Sequence, residues 1–173
     1  MKNKNYWEKV YDGKLDNNKF RQFSEEELDK ILARFPHVKD AYDLGCGRGE
    51  LLIQLHKRGI NAHGIEISEA VKNHAYKKVK DFIKVGDLQK KQNFPYAVDI
   101  IFLKFVLAFI KDTNFLRKLK PFIKQGIVIL SPVGEKEHCV SLEKLKAFFE
   151  GFEAEEEVWY RGDGVRLSLF ILK

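Results

Sequence analysis

Between an apolar strand-like run and an amphipathic helix-like run lies Asp43-Leu44-Gly45-Cys46-Gly47-Arg48-Gly49, the stretch that most constrains what this chain can fold into. Three glycines at alternate positions let the backbone turn sharply. They also bring main-chain N–H groups against a ligand where any side chain would block the approach. A dinucleotide fingerprint spaces its glycines GxGxxG and points a helix N-terminus at a pyrophosphate. Here the third glycine comes one residue early, and Asp43 stands two residues before the first. A carboxylate repels a diphosphate and attracts a cationic ligand.

The flanking sequence alternates between strand and helix patterns. Residues 1–23 read as an irregular or helical lead anchored by Trp7 and Tyr11. Ser24 and Glu27 form a capping box that predicts a helix over 25–35, with Leu28, Ile31, Leu32 and Phe35 as its stripe and Pro36 as its stop. Strands are predicted over 38–44, 62–66, 82–85 and 97–103. Helices are predicted over 50–58, from a Ser68 cap to about 79, and over 113–119 with Pro121 closing the last. The apolar run 127–130 reads as a parallel strand buried on both faces, and Ser141 caps a helix to 150. Strand patterns over 152–160 and 165–172 are then separated only by Arg161-Gly162-Asp163-Gly164, a hairpin signal that makes the two antiparallel. The expectation is an α/β fold of βα units on a parallel sheet, finished by one antiparallel strand.

At 173 residues the chain is expected to be a single domain, 1–173. Residues 1–36 are its lead and candidate lid, and 37–173 its core. Hydrophobic residues at 45% and charged residues at 32% are those of a globular protein. The apolar run 98–110 is broken by Asp99 and Lys104 and falls short of the roughly 20 residues a bilayer takes. The first residues lack the apolar segment of a signal peptide, so the expected compartment is cytoplasmic and no membrane partner is expected. Cys46 and Cys139 make neither a disulfide framework nor a zinc site, and the five histidines show no metal-ligand spacing, so no metal is expected. A net charge of +6 permits a polyanion partner. Yet the lysines are scattered among acids, and a solvated surface is the plainer reading. The basic lead around Lys2, Lys4, Lys9, Lys14, Lys19 and Arg21 is the place where RNA would bind.

The loop lies at the carboxyl end of the first strand, where open α/β sheets bind ligands. The second strand ends in Glu66, seventeen residues after Gly49, and a carboxylate there can accept both hydroxyls of a ribose. Ile65 and Ile67 flank it, and either can lie against a flat purine, with core packing the competing role for Ile65. The third strand ends Val85-Gly86-Asp87-Leu88. Its aspartate suits an exocyclic amine and the next N–H a ring nitrogen, although Gly-Asp is also a plain turn.

This set, Asp43 with the glycine loop, Glu66 and Asp87, resembles the class I S-adenosylmethionine-dependent methyltransferases over about residues 37–172. Tyr96-Ala97-Val98-Asp99-Ile100-Ile101-Phe102 and Leu119-Lys120-Pro121-Phe122-Ile123-Lys124-Gln125-Gly126 are similar to the family's fourth-strand motif and pre-fifth-strand turn. The resemblance implies a Rossmann-like three-layer sandwich, a seven-stranded mostly parallel sheet with an antiparallel last strand. It implies S-adenosylmethionine (SAM) as cofactor and S-adenosylhomocysteine (SAH) as product. Asp43, Gly45, Cys46, Gly47 and Gly49 would hold the methionine end, Glu66 the ribose, Ile67, Asp87 and Leu88 the adenine. The main chain around Leu103 would lie near the methionine portion, with Arg21 or Tyr11 near the cofactor carboxylate. Acids suit a sulfonium and an ammonium, and in-line methyl transfer to a positioned nucleophile has no obligatory strong base.

The acceptor is less legible. Phe102-Leu103-Lys104-Phe105-Val106-Leu107 lacks the Asn/Asp-Pro-Pro-Tyr and Pro-Cys signatures of base-modifying relatives, and Ala108-Phe109 stands where many small-molecule enzymes have a histidine pair. The catalytic residue is unknown, with Lys104, His138 and Tyr11 as candidates. The Tyr6-Trp7…Tyr11 lead resembles small thiol- or metalloid-methylating members, so a small-molecule acceptor is expected. RNA or protein methylation is the alternative acceptor class. A SAM-binding module or partner subunit that does not catalyse is the alternative of another kind.

Overall fold

The computed structural model describes residues 8–9, 22–90, 96–136, 139–160 and 166–173. The chain divides into two compact units, Met1–Gln92 and Asn93–Lys173.

In the first unit, α1 (Glu25–Leu32) opens with the expected capping box. Glu27 N–H donates to Ser24 Oγ at 3.1 Å, and Ser24 N–H donates to Glu27 Oε2 at 2.9 Å. Its buried residues are Leu28 and Ile31. Arg58 ties the helix down through Asp29 at 2.7 Å and Glu25 at 2.6 Å. Strands β1 (Asp40–Leu44), β2 (Asn61–Glu66) and β3 (Ile83–Val85) run parallel in the order β3-β2-β1. Between β1 and β2 lies α2 (Glu50–Lys57), which buries Leu51, Leu52 and Leu55. Full burial of one such side chain contributes about 1.5–3 kcal/mol. The register sets Asp43 opposite Gly64 and Glu66 opposite Val85, so the loop and both acids share the carboxyl edge of these strands.

The helix predicted from Ser68 to residue 79 is a single turn, α3 (Val71–His74). Ser68 Oγ is buried and caps nothing. Ala75 turns to extended backbone at ψ 145°. Arg48 Nε donates to His74 O at 2.9 Å, and Tyr76 N–H donates to Arg48 O at 3.2 Å. The glycine loop thus captures the groups that would have continued the helix, and tertiary contact outweighs the local pattern.

The second unit holds β4 (Val98–Lys104), α4 (Phe115–Leu119), β5 (Ile123–Pro132), α5 (Leu142–Phe149), β6 (Ala154–Tyr160) and β7 (Arg166–Leu172), with strand order β4-β5-β7-β6. β5 is parallel to β4 and antiparallel to β7, and β6 is antiparallel to β7. β5 is ten residues long where the apolar run predicted four, because pairing with β4 begins at Ile123 and pairing with β7 continues to Pro132. α4 ends at Leu119, as Pro121 led one to expect, and a 3-10 turn, Lys120–Phe122, follows it. Ser141 caps α5 by accepting Lys144 N–H at 3.2 Å. The 161–165 link lies outside the described residues, and the Tyr160–Arg166 pairing closes the antiparallel pair as expected. The seven strands make a mixed Rossmann-like sheet in the order β3-β2-β1-β4-β5-β7-β6, and within the second unit β7 runs against β4, β5 and β6.

Candidate functional site

Gly45, Gly47 and Gly49 all adopt left-handed backbone, at φ 81°, 56° and 88°. Side chains resist that conformation, so the loop can turn this tightly only through glycine. Gly45 N–H and Cys46 N–H both donate to Ile65 O, at 2.7 and 3.2 Å, stitching the loop to the end of β2. The loop also packs closely. A Cβ on Gly64 would lie 2.4 Å from Cys46 Sγ, and one on Gly49 would lie 2.7 Å from Val79 Cγ2. Ile65 belongs to the core at 4% exposure, whereas Ile67 is half-buried beside the edge.

Asp43 is buried on β1. Glu66, 5% exposed, accepts Gly47 N–H on Oε2 at 3.1 Å. Its Oε1 accepts Ile67 N–H at 2.9 Å and Ser68 N–H at 3.3 Å. Burial pushes its pKa up, the three N–H donors pull it down, and the nearby Glu8 carboxylate adds to the rise. The Cys46 thiol lies well above its usual range, first from burial and then from Asp43, Glu66 and Glu50. It is therefore a neutral, unreactive thiol in a negative field. Arg48, the loop's own cation, stacks over Tyr76 at 4.9 Å. At the tip of β3, Asp87 Oδ1 accepts Gln89 N–H at 2.9 Å, so the plain turn that Gly-Asp suggests is present. Asp87 and Leu88 are half-buried there. This edge offers carboxylates, a backbone cradle and apolar flanks, a donor set suited to a cationic, hydroxyl-bearing ligand.

In the second unit Leu103 is fully buried and Lys104 half-buried at the end of β4. The next residue, Phe105, is buried in left-handed backbone at φ 57° and donates its N–H to Leu130 O at 2.7 Å. An aromatic residue held there marks a sharp, over-determined turn, which sequence alone did not signal. Lys144 Nζ donates to Leu107 O at 3.4 Å, and burial lowers its pKa. Tyr11, Arg21 and His138 lie outside the described residues. Sequence reasoning missed Glu8, whose Oε1 accepts Glu69 N–H at 2.7 Å and whose Oε2 accepts Ala70 N–H at 2.9 Å. No local pattern pairs residues about sixty apart. Among the described residues no group of three potential ligands could hold a metal, and no helix is long and apolar enough to cross a membrane.

No curated protein matches the sequence. The fold is similar to a SAM-dependent methyltransferase from Aquifex aeolicus, at 20% identity and TM-score 0.60, over 87% of this chain and 99% of that one. It is similar to magnesium protoporphyrin IX methyltransferase from Synechocystis PCC 6803 with bound SAM, at 16% identity and TM-score 0.66, over 86% and 79%. A structure described under the conversion of a disulfide bond into a thioacetal group during echinomycin biosynthesis is similar at 15% identity and TM-score 0.72, over 98% and 92%. The family model described as a methyltransferase domain matches residues 42–130, from the first strand through most of β5 and so over half of the chain. With that match and this fold, the chain belongs to the SAM-dependent methyltransferase family.

Proposed function

We propose that the acid-lined edge of the first unit binds SAM and that the protein methylates a small organic molecule. The observation that carries the first half is the pairing of the left-handed glycine loop with buried acids: Gly47 N–H donates to Glu66 Oε2 at 3.1 Å, and Asp43 is buried on β1 just before the loop. When bound, SAM supplies a methyl group on a positively charged sulfur, open to in-line displacement. Asp43 and the Gly45–Gly49 loop would hold the methionine end, with Leu103 near it and Arg21 at its carboxylate. Glu66 would accept the ribose hydroxyls, while Ile67, Asp87 and Leu88 would bound the adenine. Orienting the nucleophile can supply much of the rate, leaving Lys104, His138 and Tyr11 as candidate groups at the acceptor. The porphyrin and echinomycin-pathway neighbours support a small-molecule acceptor. The free thiols Cys46 and Cys139 suit a reducing compartment, the cytoplasm.

A second reading, methylation of RNA, is favoured by the exposed Lys77, Lys78, Lys80, Lys84 and Lys90 around β3. A radiolabelled methyl-transfer screen against thiols, phenols, carboxylates and RNA at low and high salt separates the two. Label in a small acceptor at a rate indifferent to salt supports the first reading. Salt-sensitive label in RNA replaces it with the second. Saturable SAM binding with no transfer to any acceptor would favour a binding module.

A further inference from the structure

We propose that Glu8 is a positioning residue for Glu66, a carboxylate brought from the N-terminal lead to close the turn that presents the ribose-binding acid. The inference rests on the SAM reading of Glu66. The turn after β2 offers four consecutive N–H groups, at Ile67, Ser68, Glu69 and Ala70. Two carboxylates divide them. Glu66 Oε1 takes Ile67 and Ser68, at 2.9 and 3.3 Å. Glu8 takes Glu69 and Ala70 with one oxygen each, at 2.7 and 2.9 Å.

The local sequence offers those last two donors no acceptor of its own. Ser68, which a sequence reader expects to cap α3, has its Oγ buried without a hydrogen-bond partner. The N-cap position falls to Ala70, which makes no side-chain cap. Glu8, 58 residues from Glu66 in sequence, supplies the cap instead. A carboxylate on two adjacent N–H groups is a charge-assisted pair and fixes the direction of the turn as well as holding it. That direction decides whether Ile67 and Ser68 continue to meet Glu66 Oε1 while Oε2 reaches across to Gly47 at 3.1 Å. Glu8 therefore joins the lead to a side chain, Glu66, that bridges the glycine loop and the β2 turn.

Glu8 also acts through charge. Facing Glu66 are Glu8 from the lead and Cys46 from the loop, and the thiol in turn senses Asp43 on β1 and Glu50 at the start of α2. Glu8 raises the Glu66 pKa, so losing its charge lets Glu66 ionise at lower pH. A role confined to packing would leave that titration where it is.

The test compares wild type, Glu8→Gln and Glu8→Ala by amide hydrogen exchange in NMR and by SAH titration from pH 4.5 to 8. Exchange at Glu69 and Ala70 is expected to accelerate at least tenfold in Glu8→Ala and less in Glu8→Gln, which keeps one acceptor oxygen. SAH affinity at pH 7.5 is expected to fall about three- to tenfold in Glu8→Ala, within the range a charge-assisted hydrogen bond supplies. The acid limb of binding should move to lower pH in Glu8→Gln. Wild-type exchange at both amides overturns the proposal, as does wild-type affinity with an unmoved acid limb. If wild type does not bind SAH, the cofactor reading of Glu66 fails, and the exchange experiment still decides whether Glu8 holds the turn.

Discussion

Replacing Gly64 with alanine is expected to unseat the glycine loop from β2. The new Cβ would lie 2.4 Å from Cys46 Sγ, 2.8 Å from Cys46 Cβ and 3.1 Å from Leu52 Cδ1. Carbon atoms pack best at about 3.5–4.0 Å, so neither Cys46 contact can stand and the loop must shift. Overpacking of this kind costs about 1–3 kcal/mol, and two clashes on one buried residue point to the upper end. Alanine in a strand recovers about 0.5–1 kcal/mol relative to glycine. The net loss is then about 2 kcal/mol, or a fall in Tm of about 4–8 °C for a chain of this size. Thermal denaturation followed by circular dichroism reads it directly. Because both short contacts are to Cys46, adding Cys46→Gly should restore part of the loss, with a coupling of about 1 kcal/mol or more between the two sites. A wild-type Tm in Gly64→Ala refutes the reasoning. So does a double variant whose loss is the plain sum of the two single ones.

Three further outcomes follow from the same site. Asp43→Ala is expected to weaken SAM binding tenfold or more by calorimetry while the fold persists, since a hydrogen bond to a charged group contributes about 1.5–3 kcal/mol; unchanged affinity removes Asp43 from the site. Glu66 has a raised folded pKa, so the native state holds that proton more tightly than the unfolded chain does. This term lowers stability above the folded pKa and fades as pH falls towards the ordinary carboxylate value. Glu66→Gln should therefore flatten that part of the pH–stability curve while weakening SAH binding, and an unchanged curve contradicts the assignment. In native protein at pH 7.5 iodoacetamide should modify half-buried Cys139 well before Cys46, whose thiol is buried and held neutral; mass spectrometry of the labelled peptides decides the order.

Much of this was legible in the chain because the signals were local. The Ser24–Glu27 box, the alternation of βα units and the closing hairpin each depend on residues close in sequence, and each appears as expected. The glycine spacing with Asp43 and Glu66 was equally readable, since strand ends in a parallel sheet fall at one edge. What sequence could not supply came from distant contacts. α3 stops after one turn because Arg48 takes its last carbonyl. β5 extends to Pro132 because β7 pairs with it. Glu8 reaches the β2 turn from the lead, and no periodicity within either segment announces that meeting. Phe105 in left-handed backbone has no sequence signature at all, because any such position would be expected to be glycine or asparagine.

The central claim is that the Asp43–Gly49 loop and Glu66 cradle an adenosyl ligand carrying positive charge. Titration calorimetry of the full chain with SAM and with SAH, repeated for Asp43→Ala, addresses it most directly. The account predicts saturable one-to-one binding of both ligands to wild type, and a larger loss for SAM than for SAH when the acid is removed, because only SAM bears the sulfonium charge. Absence of binding of either ligand by the folded wild-type protein would contradict it.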